Sequence, residues 1–180
     1  MLPAGRLREP LENLKRAGVI VITSADLVKD LASVMAEISK YNSHCHIFTA
    51  SLKMTEMVLL KRFLSLSQKG SAKTPDVDMA RLANSAAFAF CGIGNPRSFI
   101  DRLKRDNFDV AGTQSFPDHH AYSAKDIMAI GKKARESGAG YLLTTAKDAV
   151  KLGGITFDIP CFVLEAKMVI NDAERFYSLL

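Results

Sequence analysis

The run Phe116-Pro117-Asp118-His119-His120, followed by Tyr122, sets a carboxyl group beside two imidazoles at the end of a predicted strand. Imidazole titrates near neutrality, and a neighbouring acid orients it or raises its pKa, so such a pair is able to move a proton during a reaction. His119 and His120 are expected to point in different directions, so at most one faces a substrate. A loop His-His pair after a proline is as readily structural or solvated as chemical. Two further junctions, Cys91-Gly92-Ile93-Gly94-Asn95-Pro96 and Thr144-Thr145-Ala146-Lys147-Asp148, sit at the same kind of strand-to-helix position. Gly92 and Gly94 would let a backbone approach an anion at the helix opened by Pro96, but a tight turn needs the same glycines. Lys147 and Asp148 either belong to an anion site or form an ordinary charge pair at a helix start.

Other combinations are weaker. Asp118-His119-His120 is similar to the triplet of a class of metal-dependent phosphoesterases. Those enzymes need further aspartate clusters upstream, which Asp76, Asp78, Asp101, Asp106 and Asp109 do not form. His44-Cys45-His46, read as a strand, places the two histidines on one face and the cysteine on the other, with no third ligand. Gly131-Lys132-Lys133 lies inside a predicted helix and lacks the earlier glycine and the Ser/Thr of a phosphate loop. No metal site is assigned to the chain.

The elements that must position these junctions alternate. Val19–Thr23 is predicted as a buried strand, followed by a helix from Ala25 to Ser39 capped by Ser24. His44–Thr49 and the apolar run Ala86–Cys91 follow as strands. Asn95 as cap with Pro96 at the first helical position starts a helix to Lys104. Asp109–Thr113 is a strand, and Ser123 with Asp126 opens a capping-box helix that stops at Gly138. Tyr141–Thr145, a short helix near Ala149, Cys161–Leu164 and a helix from Asp172 complete the order. Leu52 to Asn84 stays open between a helix, with Met54, Met57, Val58, Leu60 and Phe63 on one face, and an extension of the preceding strand. Its apolar face could pack on the sheet or lie on a membrane surface. Ser71–Asp76 reads as a polar loop. The pattern predicts an α/β fold: a mostly parallel sheet with helices on both faces, of Rossmann-like type, with an irregular or extended linker segment, and ligands beyond the carboxyl ends of the strands.

With 180 residues, 48% of them hydrophobic, the chain is long enough for one solid core. Residues 1–18 read as an N-terminal extension and 19–180 as the α/β domain. The formal charge of +5 suits nucleic acid, anionic lipid or phosphorylated substrates alike. Basic residues scattered in ones and twos without aromatic interleaving argue against nucleic acid. Cys45, Cys91 and Cys161 are odd in number and far apart, the pattern of reduced buried thiols in the cytoplasm. The N-terminus has no signal-peptide core, and no apolar stretch approaches the ~20 residues of a spanning helix.

Taken in order, Leu2-Pro3-Ala4-Gly5-Arg6-Leu7-Arg8-Glu9-Pro10, Cys91–Pro96 with Phe99, Phe116–His120 with Tyr122, and Thr144–Lys151 resemble the tetraacyldisaccharide 4′-kinase family over nearly the whole chain. The resemblance implies transfer of the γ-phosphate of ATP, with Mg2+, to the 4′-hydroxyl of tetraacyldisaccharide 1-phosphate, giving lipid IVA in lipid A biosynthesis. It implies a peripheral location on the cytoplasmic side of the bacterial inner membrane. His119 resembles the family's catalytic histidine, with Asp118 orienting it. Arg8, Glu9, Lys147 and Asp148 match segments assigned here to the nucleotide side. The family's P-loop and paired aspartates precede the matched region, so the chain resembles the C-terminal half of a P-loop kinase and would need a P-loop half in cis or in trans. Alone it is expected to be inactive. The alternative is a non-catalytic docking module or a degenerate truncated product. Ala146 departs from the family's usual glutamate.

Overall fold

A computed structural model describes residues 7–69 and 85–180. The expected polar loop Ser71–Asp76, and the rest of the open segment up to Asn84, lie outside the described residues.

Six strands are hydrogen-bonded in the order β1-β2-β6-β5-β3-β4: β1 Val19–Thr23, β2 His46–Leu59, β3 Ala87–Cys91, β4 Val110–Ser115, β5 Tyr141–Thr145 and β6 Cys161–Ile170. The helices are α1 Leu31–Tyr41, α2 Leu60–Lys69, α3 Pro96–Arg105, α4 Ala124–Glu136, α5 Ala146–Ala149 and α6 Ala173–Ser178. β1 pairs with β2 in parallel, as do β3 with β4, β3 with β5, and β5 with β6. Between β2 and β6, Asn171 N–H donates to the Thr49 carbonyl at 2.9 Å and Thr55 Oγ1 to the Glu165 carbonyl at 3.4 Å. Numbers rise along one strand as they fall along the other, so this pair is antiparallel and the sheet is mixed.

The chain divides into two compact units, Met1–Lys53 with Lys167–Leu180, and Met54–Ala166. In the second unit the strand alternation separates two cores. Phe88, Phe90, Leu142, Cys161 and Val163 point to one face, where Ile130 and Ala134 of α4, Leu60 and Phe63 of α2 and Ala149 of α5 cover them. Ala87, Ala89, Tyr141, Leu143, Phe162 and Leu164 point to the other, covered by Leu103 of α3 with Phe99 and Ile100. All of β3 is buried, as its uninterrupted apolar run requires of a strand sandwiched between helix layers. In the first unit, Phe48 is buried against Phe176 of α6, ring centroids 5.3 Å apart and edge to face.

Local signals succeeded where a cap was unambiguous. Asn95 accepts from Ser98 N–H, with Pro96 following, and the Ser123/Asp126 capping box forms as predicted. The expected helix from Ala25 is instead a 3₁₀ turn, Ala25–Leu27, followed by α1. Asp30 makes the N-terminal cap by accepting from Ser33 N–H at 2.9 Å, whereas Ser24 is left-handed and caps nothing through its side chain. Of the two readings of the segment from Leu52, the strand continues to Leu59 and the helix begins at Leu60. The α2 residues Leu60 and Phe63 are buried in the core, as the reading in which this face packs on the sheet expects. β2 starts at His46, leaving His44 and Cys45 in the preceding turn, where both backbone N–H groups donate to Asn42 Oδ1. His46 Nδ1 lies 3.1 Å from Arg175 Nη2.

All three cysteines are free, with Cys91 and Cys161 buried and Cys45 partly exposed. Burial, and then the charge of Asp148, pushes the Cys91 thiol up to about 11, and burial pushes Cys161 up as well. The thiolate is the reactive species. Native protein at pH 8 is therefore expected to take up one equivalent of a maleimide, at Cys45, and all three only after unfolding. Peptide mapping of the labelled chain checks this, and fast native labelling of Cys91 would contradict it.

Candidate active site at the carboxyl ends of β3, β4 and β5

β3 ends at Cys91, β4 at Ser115 and β5 at Thr145, and the segments leaving these ends converge. Phe116 N–H donates to the Cys91 carbonyl at 2.8 Å, and His119 N–H to the Gly92 carbonyl at 3.2 Å. Gly92 is where the three meet. A Cβ there would stand 3.1 Å from His120 Cβ, 3.2 Å from the Pro117 carbonyl oxygen and 3.3 Å from Asp148 Oδ1. At Gly94 a Cβ would stand 3.1 Å from Asp118 Oδ2. Both glycines are positions where neighbouring groups come too close for a side chain to fit without a shift.

The two histidines diverge as expected. His120 stacks on Phe116 with centroids 4.5 Å apart and an interplanar angle of 20°, and meets Tyr122 edge to face at 5.2 Å. Its Nε2 lies 3.2 Å from Asp126 Oδ2. That oxygen also accepts from Ser123 N–H at 2.9 Å and Ser123 Oγ at 2.6 Å. His120 therefore ties the loop to the start of α4, a link the sequence analysis missed. The i, i+6 placement of an acid in a capping box was its only trace in the sequence.

His119, by contrast, has its side chain 91% exposed, and its φ is +60°. Left-handed backbone costs a non-glycine residue roughly 1–2 kcal/mol, and such residues cluster at functional sites. Asp118 holds it: Oδ1 accepts from His119 N–H at 3.0 Å, while Oδ2 stands 3.8 Å from His119 Nε2. Asp118 thus fixes the turn through the backbone and leaves the imidazole nitrogen available to a hydroxyl from solvent or substrate.

The third junction splits. Lys147 is exposed. Asp148 has no solvent-accessible surface, accepts from Thr145 Oγ1 at 2.7 Å, and pairs with Lys151 Nζ at 3.2 Å. Tyr122 is partly buried and packs against the core. The phenol is pushed up by burial first and by the Asp148 charge second, although its hydroxyl makes no hydrogen bond of ordinary length among the described residues. Arg8 and Glu9 belong to the other unit. Glu9 Oε2 accepts from Arg16 Nη2 at 2.6 Å and Asn13 Nδ2 at 3.0 Å, all exposed. Among the described residues no group of three or more His, Cys, Asp or Glu could hold a metal ion.

Two outcomes follow from this geometry. Hydrogen bonds from Ser123, and then His120, lower the Asp126 carboxyl from its ordinary 3.8 to about 2. A depressed acid stabilises the fold fully above its ordinary value and loses that contribution as pH falls through the folded value. Thermal melting temperatures should therefore fall between pH 4 and pH 2, and Asp126→Asn should flatten that stretch of the curve. An unchanged slope in the variant would contradict the assignment. Relief of the left-handed strain in His119→Gly should raise unfolding stability by up to about 1 kcal/mol in urea titrations. A loss of stability would mean that the ring contributes packing its exposure does not reveal.

Comparison with known proteins supplies the context for this strand-end site. A family model described as tetraacyldisaccharide-1-P 4′-kinase, LpxK, matches residues 1–180. A tetraacyldisaccharide 4′-kinase of Pelodictyon phaeoclathratiforme is 33% identical over 182 residues, covering 97% of this chain and 48% of its own length. One from Halothermothrix orenii is 36% identical over 157 residues, 84% of this chain and 39% of its own. The crystal structure of Aquifex aeolicus LpxK in complex with ATP superposes with a TM-score of 0.60 at 26% identity, over 99% of this chain and 46% of that one. The chain thus spans about half the length of the curated relatives it matches. Matched by the family model along all 180 residues and by a mixed α/β fold of known structure, this chain belongs to the tetraacyldisaccharide-1-P 4′-kinase (LpxK) family.

Proposed function

We propose that this chain supplies the proton-accepting part of a kinase that transfers the γ-phosphate of ATP to the 4′-hydroxyl of tetraacyldisaccharide 1-phosphate, forming lipid IVA in lipid A biosynthesis. The observation that carries the reading is His119: exposed, left-handed and held by Asp118 at a strand end, in a chain that matches the family model throughout.

An alcohol is a poor nucleophile until its proton is drawn away in the transition state, and a positioned imidazole does this near neutral pH. His119 takes the hydroxyl proton on a ring nitrogen, and Asp118, 3.8 Å from Nε2, stabilises the imidazolium that results. ATP supplies the phosphoryl group, and Mg2+ the charge neutralisation on which such transfers depend. The described residues form neither a glycine-rich phosphate loop nor a carboxylate group suited to Mg2+. Both ligands are therefore assigned to a P-loop half, in cis or in trans, and no step is derived through them. Exposed Arg8, Glu9 and Lys147 are assigned to the nucleotide side. The acylated substrate would bring the protein to the cytoplasmic face of the inner membrane as a peripheral protein; among the described residues no helix is long and apolar enough to cross a membrane.

The test is transfer of labelled γ-phosphate from ATP to tetraacyldisaccharide 1-phosphate, by the chain alone and by a mixture with the P-loop half of a relative that co-elutes with it. Activity is expected only in the mixture. His119→Ala should lower turnover by about 10²–10⁴-fold with an unchanged circular dichroism spectrum. Turnover near that of the parent would remove His119 from the mechanism, and an inactive co-eluting mixture would favour a non-catalytic docking module.

A further inference from the structure

Asp148 is a buried acid that the reaction above does not use. It has no solvent-accessible surface, so a nucleotide has nothing of it to touch. We propose that Asp148 is a positioning residue, whose buried carboxyl group packs against Gly92 and through it sets the left-handed turn that presents His119. The proposal rests on the reading of His119 as proton acceptor.

The links are short. Asp148 is anchored from its own element: Thr145 Oγ1 donates to Oδ2 at 2.7 Å, Asp148 N–H donates back to Thr145 Oγ1 at 3.2 Å, and Ala149 and Leu152 beside it are fully buried. Lys151, at 3.2 Å from Oδ1, supplies the counter-charge that a carboxylate without solvent requires. The same Oδ1 bears on Gly92, where an added Cβ would stand 3.3 Å away, and the Gly92 carbonyl accepts the His119 N–H. Burial first, and the charge of Asp148 second, push the Tyr122 phenol up. Tyr122 in turn packs edge to face on Phe116 and His120, at 5.2 Å from each. The route from Asp148 through Gly92 therefore arrives at the backbone of His119, and the Pro117 carbonyl and His120 Cβ, which flank His119, share the contact at Gly92.

The chain has four histidines, His44, His46, His119 and His120, so selective ¹⁵N-histidine labelling gives four amide signals, two in each compact unit. Asp148→Asn keeps the shape and removes the charge, and Gly92→Ala pushes the same contact from the opposite side. In both variants the His119 and His120 signals are expected to move while His44 and His46 stay, and His119 amide exchange should quicken by about tenfold or more. In the reconstituted assay kcat should fall about tenfold or more with the ATP KM unchanged.

A folded Asp148→Asn chain whose His119 signal coincides with that of the parent overturns the proposal whatever its activity. A raised ATP KM at unchanged kcat overturns it in favour of nucleotide contact. Should Asp148→Asn unfold, Gly92→Ala decides by the same readings: moved His119 signals support the proposal and unmoved ones overturn it. Displaced His119 signals with undiminished kcat would uphold the positioning and refute His119 as the proton acceptor, so the two readings fail separately.

Discussion

The candidate site depends on a missing side chain. Because Gly92 carries no Cβ, the end of β3 admits the Pro117 carbonyl, the His120 side chain and the Asp148 carboxyl group to within about van der Waals contact of one backbone position. Three loops from three strands close over a single residue, and backbone hydrogen bonds from Phe116 and His119 back to Cys91 and Gly92 lock them. A methyl group there would force apart groups that cannot yield cheaply, since one is backbone and another is a buried charged pair.

Once that junction is closed, the two adjacent histidines have different fates. His120 turns inward, where Phe116, Tyr122 and Asp126 satisfy its ring and its nitrogen. The backbone reversal that achieves this puts His119 at positive φ and leaves its ring in solvent. Strain at one residue is sustained by packing at the next. The exposed ring contributes almost nothing to the core, so its position is set by the packing of its neighbours and not by its own.

The long strands β2 and β6 serve another purpose. Each runs through both compact units, and β6 is buried over Cys161–Leu164 but exposed from Ala166 to Val169. A strand exposed over four of its ten residues lacks the apolar run that marks a sandwiched strand along its whole length, and the sequence reading ended it at Leu164. The same physics hid the second half of β2, whose alternation of Lys53, Thr55 and Glu56 with Met54 and Met57 fits a half-buried strand as well as a helix face.

What the sequence by itself determined was whatever depends on neighbours in the chain. The fully buried strand β3 is a continuous apolar run, the starts of α3 and α4 are caps spelled out within four residues, and the order of motifs along the chain carries the resemblance to the family. The missed start of α1 has the same local character: Asp30 out-competes Ser24 as a cap because it reaches the N–H of Ser33. Only the tertiary structure decided which histidine is exposed, why Gly92 must be glycine, and that Lys147 faces solvent while its neighbour Asp148 is buried against Lys151. Those outcomes are set by contacts between strand ends that lie tens of residues apart in the chain, and no local propensity encodes the direction in which a side chain leaves a loop.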